Sequence, residues 1–396
     1  MNKKTTWTGV ILFSATVLVF CAISAQAVGF RLPNQDPEGI ARGNAFAATA
    51  DNPSAIYYNP AGITQVEGEQ LRVGLYVISA DTTYSSPGGK AETDATPQMV
   101  PQIYFAAPLT NTPLYFGFGV YAPYGLSLDW GKNTPFNTVA ESGSLLYASF
   151  NPVVAWRVAK SLSIAWGPTV NYSEARFYQA ISSSADQFWF KGKGIGVGYT
   201  AGLLWQPHPQ WSFGVNYRSA TSIDYRGSSQ AYPYFAEQST HASVDFPQYI
   251  VGGISFRPTP VWNLEFDLDW TEWKKVRQIV FKNTSFGNVP VVLNYQNSLM
   301  YEFGITRQLG NGYFASVGYI YSENSSPDTH FTPLIPDANL HLGSVGIGHR
   351  GDRWDWAAAY HFAYGERTVQ GDANASANGH YKTFNNAFNL AGTLKF

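Results

Sequence analysis

The chain has very little cysteine and little charge. Its single cysteine, Cys21, lies near the start, so the rest of the chain can form no disulfide and offers no thiol nucleophile or thiolate metal ligand. Charged residues make up 13% of the chain, against roughly 25% in soluble globular proteins, whereas aromatic residues reach 16%. The net charge of −2 gives no indication of nucleic-acid binding.

The first residues have the features of a secretory leader. Two lysines precede an apolar run from about Val10 to Ile23, and Ala25-Gln26-Ala27 follows it. This pattern predicts a signal peptide, residues 1–27, that is cleaved after Ala27. The alternative is a lipoprotein signal cut before Cys21, which the bulky Phe20 disfavours.

Long apolar runs are also missing after the leader. Without a stretch of about 18 apolar residues, membrane-spanning helices are excluded, and a closed β-barrel is the other structure that satisfies every backbone group in hydrocarbon. After about residue 69, strand-like stretches are joined by connections that are alternately short and long, as in outer-membrane barrels. The six short connections fall at 110–112, 158–160, 207–209, 258–260, 309–312 and 350–352.

Six short and seven long connections predict fourteen strands. Alternation supports this count: in the last segment Phe384 and Phe388 share one parity, and Asn385 and Asn389 share the other. We therefore predict an all-β fold, a transmembrane antiparallel β-barrel of about 14 strands over residues 69–396. The alternative, a secreted β-sandwich, does not require such a regular succession of short and long connections.

Residues 28–68 lack this alternation and are rich in small residues. Asp51 or Asn52 is suited to cap a short helix with Pro53 in its first turn, and Asn59-Pro60 ends it. Such a segment has too little apolar surface to fold alone. We expect it to form an N-terminal hatch with short helices that plugs the lumen of the barrel.

Several ordered motifs resemble the FadL/TodX family of outer-membrane transporters for long-chain fatty acids and hydrophobic compounds. They include Arg42-Gly43-Asn44-Ala45, Asn59-Pro60-Ala61-Gly62, and the segments 101–108, 211–219 and 335–339. The resemblance covers essentially the whole chain after the leader. It implies a Gram-negative outer-membrane protein that transports lipid or hydrocarbon without cofactor or catalysis.

The resemblance also implies a route: capture at outer loops, passage to a pocket beside the hatch, and lateral exit through a kinked third strand. By similarity, Asn59-Pro60-Ala61 lies at the kink, where the Asn amide is suited to satisfy freed carbonyls. In the predicted third strand, 113–123, Gly117, Gly119 and Pro123 independently favour a distortion. The alternative is that the glycines fit against the hatch without any opening.

Aromatic residues are concentrated in two predicted outer loops. Phe188, Trp189 and Phe190 fall in the loop 176–193, and Tyr232, Tyr234 and Phe235 fall in the loop 227–240. Because the corresponding loops of the family form a capture groove, these six residues are expected to bind ligand, and Phe30 is expected to line the pocket. A membrane-surface aromatic belt is the alternative for Trp189, and a mobile terminus is the alternative for Phe30.

No catalytic residue or metal site is predicted. Gly196–Ala201 formally fits a dinucleotide fingerprint, but it lies in a strand pattern with no following helix. The expected partners are a hydrophobic small molecule, outer-membrane lipid and lipopolysaccharide; no nucleic acid is expected, and the protein is predicted to be a monomer. The alternatives from other classes are an outer-membrane lipase-type enzyme and a general diffusion porin.

The sequence leaves the ligand open, since fatty acids, alkanes and aromatic hydrocarbons all suit aromatic and small aliphatic linings. A carboxylate ligand requires a nearby cation. The candidates are Arg31, Arg42, Lys160, Arg218 and Arg257.

Overall fold

A computed structural model describes residues 29–396, so the predicted leader lies outside the described residues. Within this range no helix is long and apolar enough to cross a membrane. The strands are β1 Gln70–Ser86, β2 Gly89–Glu92, β3 Gln98–Pro108, β4 Leu114–Tyr121, β5 Leu126–Asp129, β6 Ser142–Ala159, β7 Leu162–Gln179, β8 Gln187–His208, β9 Trp211–Arg218, β10 Thr221–Tyr232, β11 Gln238–Phe246, β12 Tyr249–Thr259, β13 Trp262–Thr271, β14 Gln278–Thr284, β15 Gly287–Val292, β16 Ser298–Gly310, β17 Tyr313–Ser322, β18 Leu340–Arg350, β19 Trp354–Val369 and β20 Gly379–Lys395. The helices are α1 Pro37–Ala41 and α2 Ala55–Tyr58, with 3-10 helices at Pro60–Gln65, Trp273–Lys275, Asp328–His330 and Ala375–Ala377.

Fourteen wall strands form a closed antiparallel barrel, which confirms the predicted fold. Three of them consist of two segments each, namely β4 with β5, β9 with β10, and β11 with β12. The barrel closes where β1 pairs with β20, from Gln70 opposite Lys395 to Ser85 opposite His380. Closure pairs the first and last strands of the wall with each other, as a membrane barrel requires.

The two faces of the wall differ as the alternation predicts. In β20, Phe384 and Phe388 are 46% and 49% exposed on the outside, while Asn385 and Asn389 are buried on the inside. Similar exposed apolar residues occur all round the wall. The outward face therefore suits hydrocarbon, and the inward face packs against the chain that fills the lumen.

The predicted loop 176–193 is too long by several residues. β8 begins at Gln187, and its first residues pair with both neighbours, so that Phe190 lies opposite Phe177 in β7 and opposite Ser229 in β10. Phe188, Trp189 and Phe190 are therefore strand residues and not loop residues. The error arose because Lys191 to Gly194 is polar and glycine-rich, although it continues the ladder.

Residues 29–66, here called the hatch, lie inside the barrel and are almost entirely buried. Asp36 caps α1 by accepting a hydrogen bond from Glu38 N at 2.9 Å. Gly43 adopts a φ of +64° and packs against Gly318 of β17. A side chain at position 318 would collide with the backbone of Gly43. The hatch thus approaches the wall closely enough to fill the lumen at this level.

Candidate functional site

A cavity of about 470 Å³ lies between the hatch and the rim that carries the long loops, here called the outer rim. Of its lining residues, only Arg176 and His330 are basic, and none is acidic. Such a cavity suits an apolar small molecule. Its large apolar lining residues are Phe30, Leu126, Leu145, Phe177, Phe190, Tyr225, Ile279, Phe281, Leu293, Phe331, Leu334 and Ile335.

Phe30 brings the hatch to this cavity. Its ring centroid lies 4.9 Å from that of Trp273 and 5.6 Å from that of Phe246, both edge to face, and 6.0 Å from that of Tyr124. The side chain is only 3% exposed. Phe30 therefore lines an aromatic end of the cavity, and its contact with ligand stays a prediction.

The wall of the cavity carries an aromatic cluster that includes one of the predicted capture residues. Phe190 lies 4.9 Å from Phe281, and Phe281 lies 5.4 Å from Phe177, measured between ring centroids. Phe188 is buried behind them, 6.1 Å from Phe281. Sequence reasoning missed Phe177 and Phe281, although each has the parity of an inward-facing strand residue.

The remaining predicted aromatic residues do not line the cavity. Trp189 points to the opposite side of β8 from Phe190, and the Lys191 ammonium lies 4.7 Å from the centre of its ring. Tyr232, Tyr234 and Phe235 are 57%, 58% and 47% exposed at the tip of the β10–β11 hairpin. The structure therefore separates the six residues into an inner pair and an outer group.

Asp337 fixes the loop between β17 and β18, which contributes Leu334 and Ile335 to the cavity. Its carboxylate accepts hydrogen bonds from Ser325 N at 2.6 Å and from Ser326 N at 3.1 Å. Burial raises the pKa of Asp337, although these donors oppose the shift. The carboxylate also lies 3.4 Å from Gly29 N, so one side chain connects the cavity loop to the start of the hatch.

The third wall strand is interrupted where the predicted strand 113–123 would continue. β4 pairs with β3 only from Tyr115 to Val120, and residues 98–102 of β3 have no strand partner on that side among the described residues. Instead, the hatch forms the ladder: Leu32 N donates to Pro123 O at 2.8 Å, and Gly125 N donates to Phe30 O at 3.0 Å. The third strand therefore turns away from β3 and towards the hatch.

Gln35 holds this bend. Its amide nitrogen donates to Ala122 O at 2.7 Å and to Leu32 O at 2.9 Å, and its amide oxygen accepts from Ala122 N at 3.3 Å. The side chain thus replaces the strand partner that Ala122 lacks. Nothing in the sequence around Gln35 indicates this contact with a distant carbonyl.

We expect that Gln35→Ala loosens the start of the hatch and speeds its proteolysis several-fold, because it leaves the buried backbone groups of Ala122 unpaired, at a cost of about 1–3 kcal/mol. Gln65→Ala is the matched control, since this hatch glutamine donates to Thr49 O at 2.8 Å, away from the bend. Limited proteolysis of the two folded variants in detergent, with the cut sites read by mass spectrometry, measures the effect. Equal protection of residues 29–35 in both variants would contradict a role of Gln35 in the bend.

The placement predicted for Asn59-Pro60-Ala61 is corrected. The Asn59 amide donates to Leu203 O of β8 at 2.9 Å and to Ala47 O at 2.7 Å, not to carbonyls of the third strand. Gly202 of β8 lies directly against Asn59 and Pro60 and leaves no room for a side chain. The motif therefore fixes the hatch to β8, and Gln35 performs the role expected of Asn59.

Gly117, Gly119 and Pro123 all lie on the third strand, but in two different environments. Added Cβ atoms at Gly117 and Gly119 would each lie 3.0 Å from the side chain of Ile56 in the hatch. These glycines therefore accommodate the hatch. Pro123 lies in the bend itself, where its carbonyl accepts from Leu32 N.

None of the five candidate cations for a carboxylate ligand lines the cavity. Arg31 forms an ion pair with Asp269 at 2.7 Å, and its guanidinium stacks 3.6 Å from the ring centre of Tyr249. Arg218 donates to the Tyr249 hydroxyl at 2.9 Å. Arg31 therefore connects the hatch to the wall, and the Arg218 guanidinium lies 5.8 Å from the ring centre of Tyr57 in the hatch.

Comparison with known proteins adds independent evidence. Residues 18–387 match the family described as outer membrane protein transport protein (OMPP1/FadL/TodX). The long-chain fatty acid transport protein of Escherichia coli K12 is 22% identical over an alignment that covers 99% of this chain and all of the relative. A crystal structure of a Pseudomonas aeruginosa FadL homologue has a TM-score of 0.84 at 17% identity, covering 93% of this chain and 100% of that chain. The Pseudomonas putida toluene transporter TodX has a TM-score of 0.76 at 16% identity, with the same coverage of both chains.

These relatives are named as transporters and not as enzymes, and the structural matches share the barrel fold. The family match extends over most of the chain, and with the closed barrel it places the protein in the outer membrane as a multi-pass β-barrel. The chain belongs to the outer-membrane transport protein family OMPP1/FadL/TodX.

Proposed function

We propose that the protein takes up hydrophobic small molecules of the long-chain fatty acid or hydrocarbon class. The observation that carries this proposal is the apolar cavity, which extends from the outer rim to Phe30 beside the interrupted third strand. The names of the relatives, which include a fatty acid transporter and a toluene transporter, support the same substrate class.

The proposed route begins at the outer rim, where Tyr232, Tyr234 and Phe235 capture ligand, and continues into the cavity lined by Phe190 and Phe30. Exit is sideways, between residues 98–102 of β3 and the bent third strand. An alkyl chain gains about 0.8 kcal/mol for each methylene that leaves water, so an apolar path from cavity to bilayer favours passage more than a hydrated pore.

The cavity lining distinguishes between parts of the ligand. Of the two basic residues that border it, Arg176 alternates along β7 with the inward-facing Phe177 and therefore points outwards, whereas His330 lies at the outer rim; the Phe30 end is aromatic. A hydrocarbon would therefore occupy the whole cavity. A fatty acid would place its alkyl chain towards Phe30 and its carboxylate towards the outer residues.

We propose that residues 28–68 act as the plug and residues 69–396 as the wall of a monomer surrounded by outer-membrane lipid and lipopolysaccharide. The buried hatch disfavours a general diffusion porin, because it occupies the lumen that hydrophilic solutes would need. Single-channel conductance distinguishes these alternatives, since a porin gives a large steady current. Ester hydrolysis by the purified protein would instead support a lipase-type barrel.

Two neighbouring residues of β8 allow a matched test of the cavity. Phe190→Ser should weaken ligand binding by about 1.5–3 kcal/mol if the ligand buries this ring, whereas Trp189→Ser on the opposite face should leave binding near the wild-type value. The measurement is concentration-dependent uptake of radiolabelled oleate and toluene, with folding checked by heat-modifiable electrophoretic mobility. Equal loss in both variants would contradict transport through this cavity.

A further inference from the structure

A row of cations lies on the outer surface of the barrel, on the opposite side of the wall from the cavity. It consists of Arg176 in β7, Lys191 and Lys193 in β8, and Arg226 in β10, and is called the cation row here. All four side chains are exposed. In β8, Phe190 faces the cavity. Lys191 and Lys193 follow it by one and three residues, so strand alternation makes both lysines face outwards.

The cross-strand register places like charges directly opposite each other. Arg176 lies opposite Lys191, and Lys193 lies opposite Arg226. Directly opposed like charges destabilise a sheet. Two such pairs on three adjoining strands are notable in a chain with only 13% charged residues, and they indicate that an external anion balances the charge.

Neighbouring acidic residues do not neutralise the row. Within residues 29–396, no carboxylate lies within ion-pair distance of any of the four side chains. Glu174 is opposite Lys193 in the ladder and borders the same depression, but its single negative charge against four cations leaves the row positively charged. The row therefore keeps unpaired donors on the surface.

The four cations surround a shallow depression of about 260 Å³. Its remaining lining residues are Glu174, Ala175, Gly192 and Gly227, which leave its centre free of bulky side chains. Lysine and arginine converging on such a space provide several charge-assisted donors, which suit the oxygens of a phosphate group.

The position of the row along β8 identifies the source of the phosphate. The next outward-facing residues towards the membrane are Ile195, Val197 and Tyr199, which are 65%, 73% and 42% exposed. Lys193 precedes Ile195 by two residues, or roughly 7 Å along the strand. The cations therefore adjoin the lipid-facing surface at its outer end, where basic residues meet anionic head groups.

We propose that the cation row is a binding site for the phosphate groups of lipopolysaccharide in the outer leaflet. The site is formed by the outward face of β7, β8 and β10, and it shares these strands with the proposed transport cavity. A lipid held there would fix the outer end of the strands whose inner faces carry Phe177, Phe190 and Tyr225.

The test compares two triple variants of the full-length protein. Lys191→Gln, Lys193→Gln and Arg226→Gln remove charge from the row, and Lys90→Gln, Lys132→Gln and Lys382→Gln remove the same charge from exposed positions elsewhere. Binding of purified lipopolysaccharide in detergent is measured by native mass spectrometry. The row variant should bind about tenfold more weakly or worse, and the control variant should bind like the wild type.

Two further ligands identify the chemistry that is recognised. Lipopolysaccharide without its phosphates should bind the wild type and the row variant with equal affinity. Inorganic phosphate at millimolar concentration should not displace intact lipopolysaccharide from the wild type. Equal binding by both triple variants would overturn the site. Displacement of the lipid by inorganic phosphate would show that the row binds free phosphate, and would overturn the lipid proposal. Hydrophobic uptake by the row variant is measured separately, and it should equal that of the wild type.

Discussion

Replacing Arg72 by leucine should destabilise the folded protein by about 3–5 kcal/mol, because it leaves the buried carboxylate of Asp36 without its ion-pair partner and removes one of the two arginines that pair with Glu38. Arg72 projects from β1 into the lumen and is 1% exposed. Its guanidinium donates to Asp36 at 3.0 Å and lies 3.2 Å from Glu38, both at the start of α1. It also donates to Thr393 at 2.8 Å, so the hatch, β1 and β20 meet at this one side chain.

The measurement is the midpoint of urea unfolding in detergent, together with limited proteolysis of the hatch. Arg353→Leu is the control, since this arginine is exposed and the substitution removes the same charge. Arg72→Lys should fall between them, because an ammonium keeps the charge but loses the forked donor geometry. A shift in Arg72→Leu no larger than that in Arg353→Leu would contradict the anchoring role.

The wall of the barrel could be predicted because its determinants are local. Alternation of side chains identifies the faces of each strand, and the lengths of the connections give the number of strands, so that the strand predicted at 313–322 is found at those bounds. The outer ends were less predictable. Strands continue beyond the lipid-facing surface there, where alternation of apolar and polar residues gives way to segments such as 191–194.

The contacts between hatch and wall could not be predicted from local sequence patterns, because they join residues far apart in the chain. Gln35 meets Ala122, and Phe46 N and Ala47 N donate to Asp267 at 2.9 and 2.7 Å. Strand alternation places Asp267 on the lumen side of β13, but no local pattern indicates that backbone amides of the hatch would satisfy its carboxylate. Family resemblance pointed to Asn59 for the bend, whereas the geometry assigns that role to Gln35.

These contacts make the hatch a structural support of the barrel as well as the proposed plug. Besides Arg72, the hatch is held by Arg350, which lies 2.7 Å from Asp51 and 2.8 Å from Glu38. Glu38 thus links wall arginines from two separate strands. Since the bend in the third strand also depends on hatch residues, removing the hatch should affect both the lumen and the proposed exit.

Deleting residues 28–68 should convert a protein with little conductance into an open, ion-conducting pore. The deletion removes the buried segment that fills the lumen and exposes inward polar residues such as Asn151, Asn171 and Asn389 to water. Closure of the wall does not depend on the deleted residues, because β1 and β20 pair through their own backbones from Gln70 onwards. The barrel should therefore still insert.

Planar-bilayer recordings of the refolded deletion variant measure this effect, with the full-length protein as the reference and heat-modifiable mobility as the check on folding. Large, steady current steps are expected from the variant and only rare openings from the full-length protein. Hydrophobic uptake should fall at the same time, because Phe30 and the hatch segment that hydrogen-bonds to Pro123 and Gly125 are gone. A correctly folded deletion variant with low conductance would contradict the proposal that the hatch plugs the lumen. High conductance with normal uptake would agree with that proposal but argue against exit at the third strand.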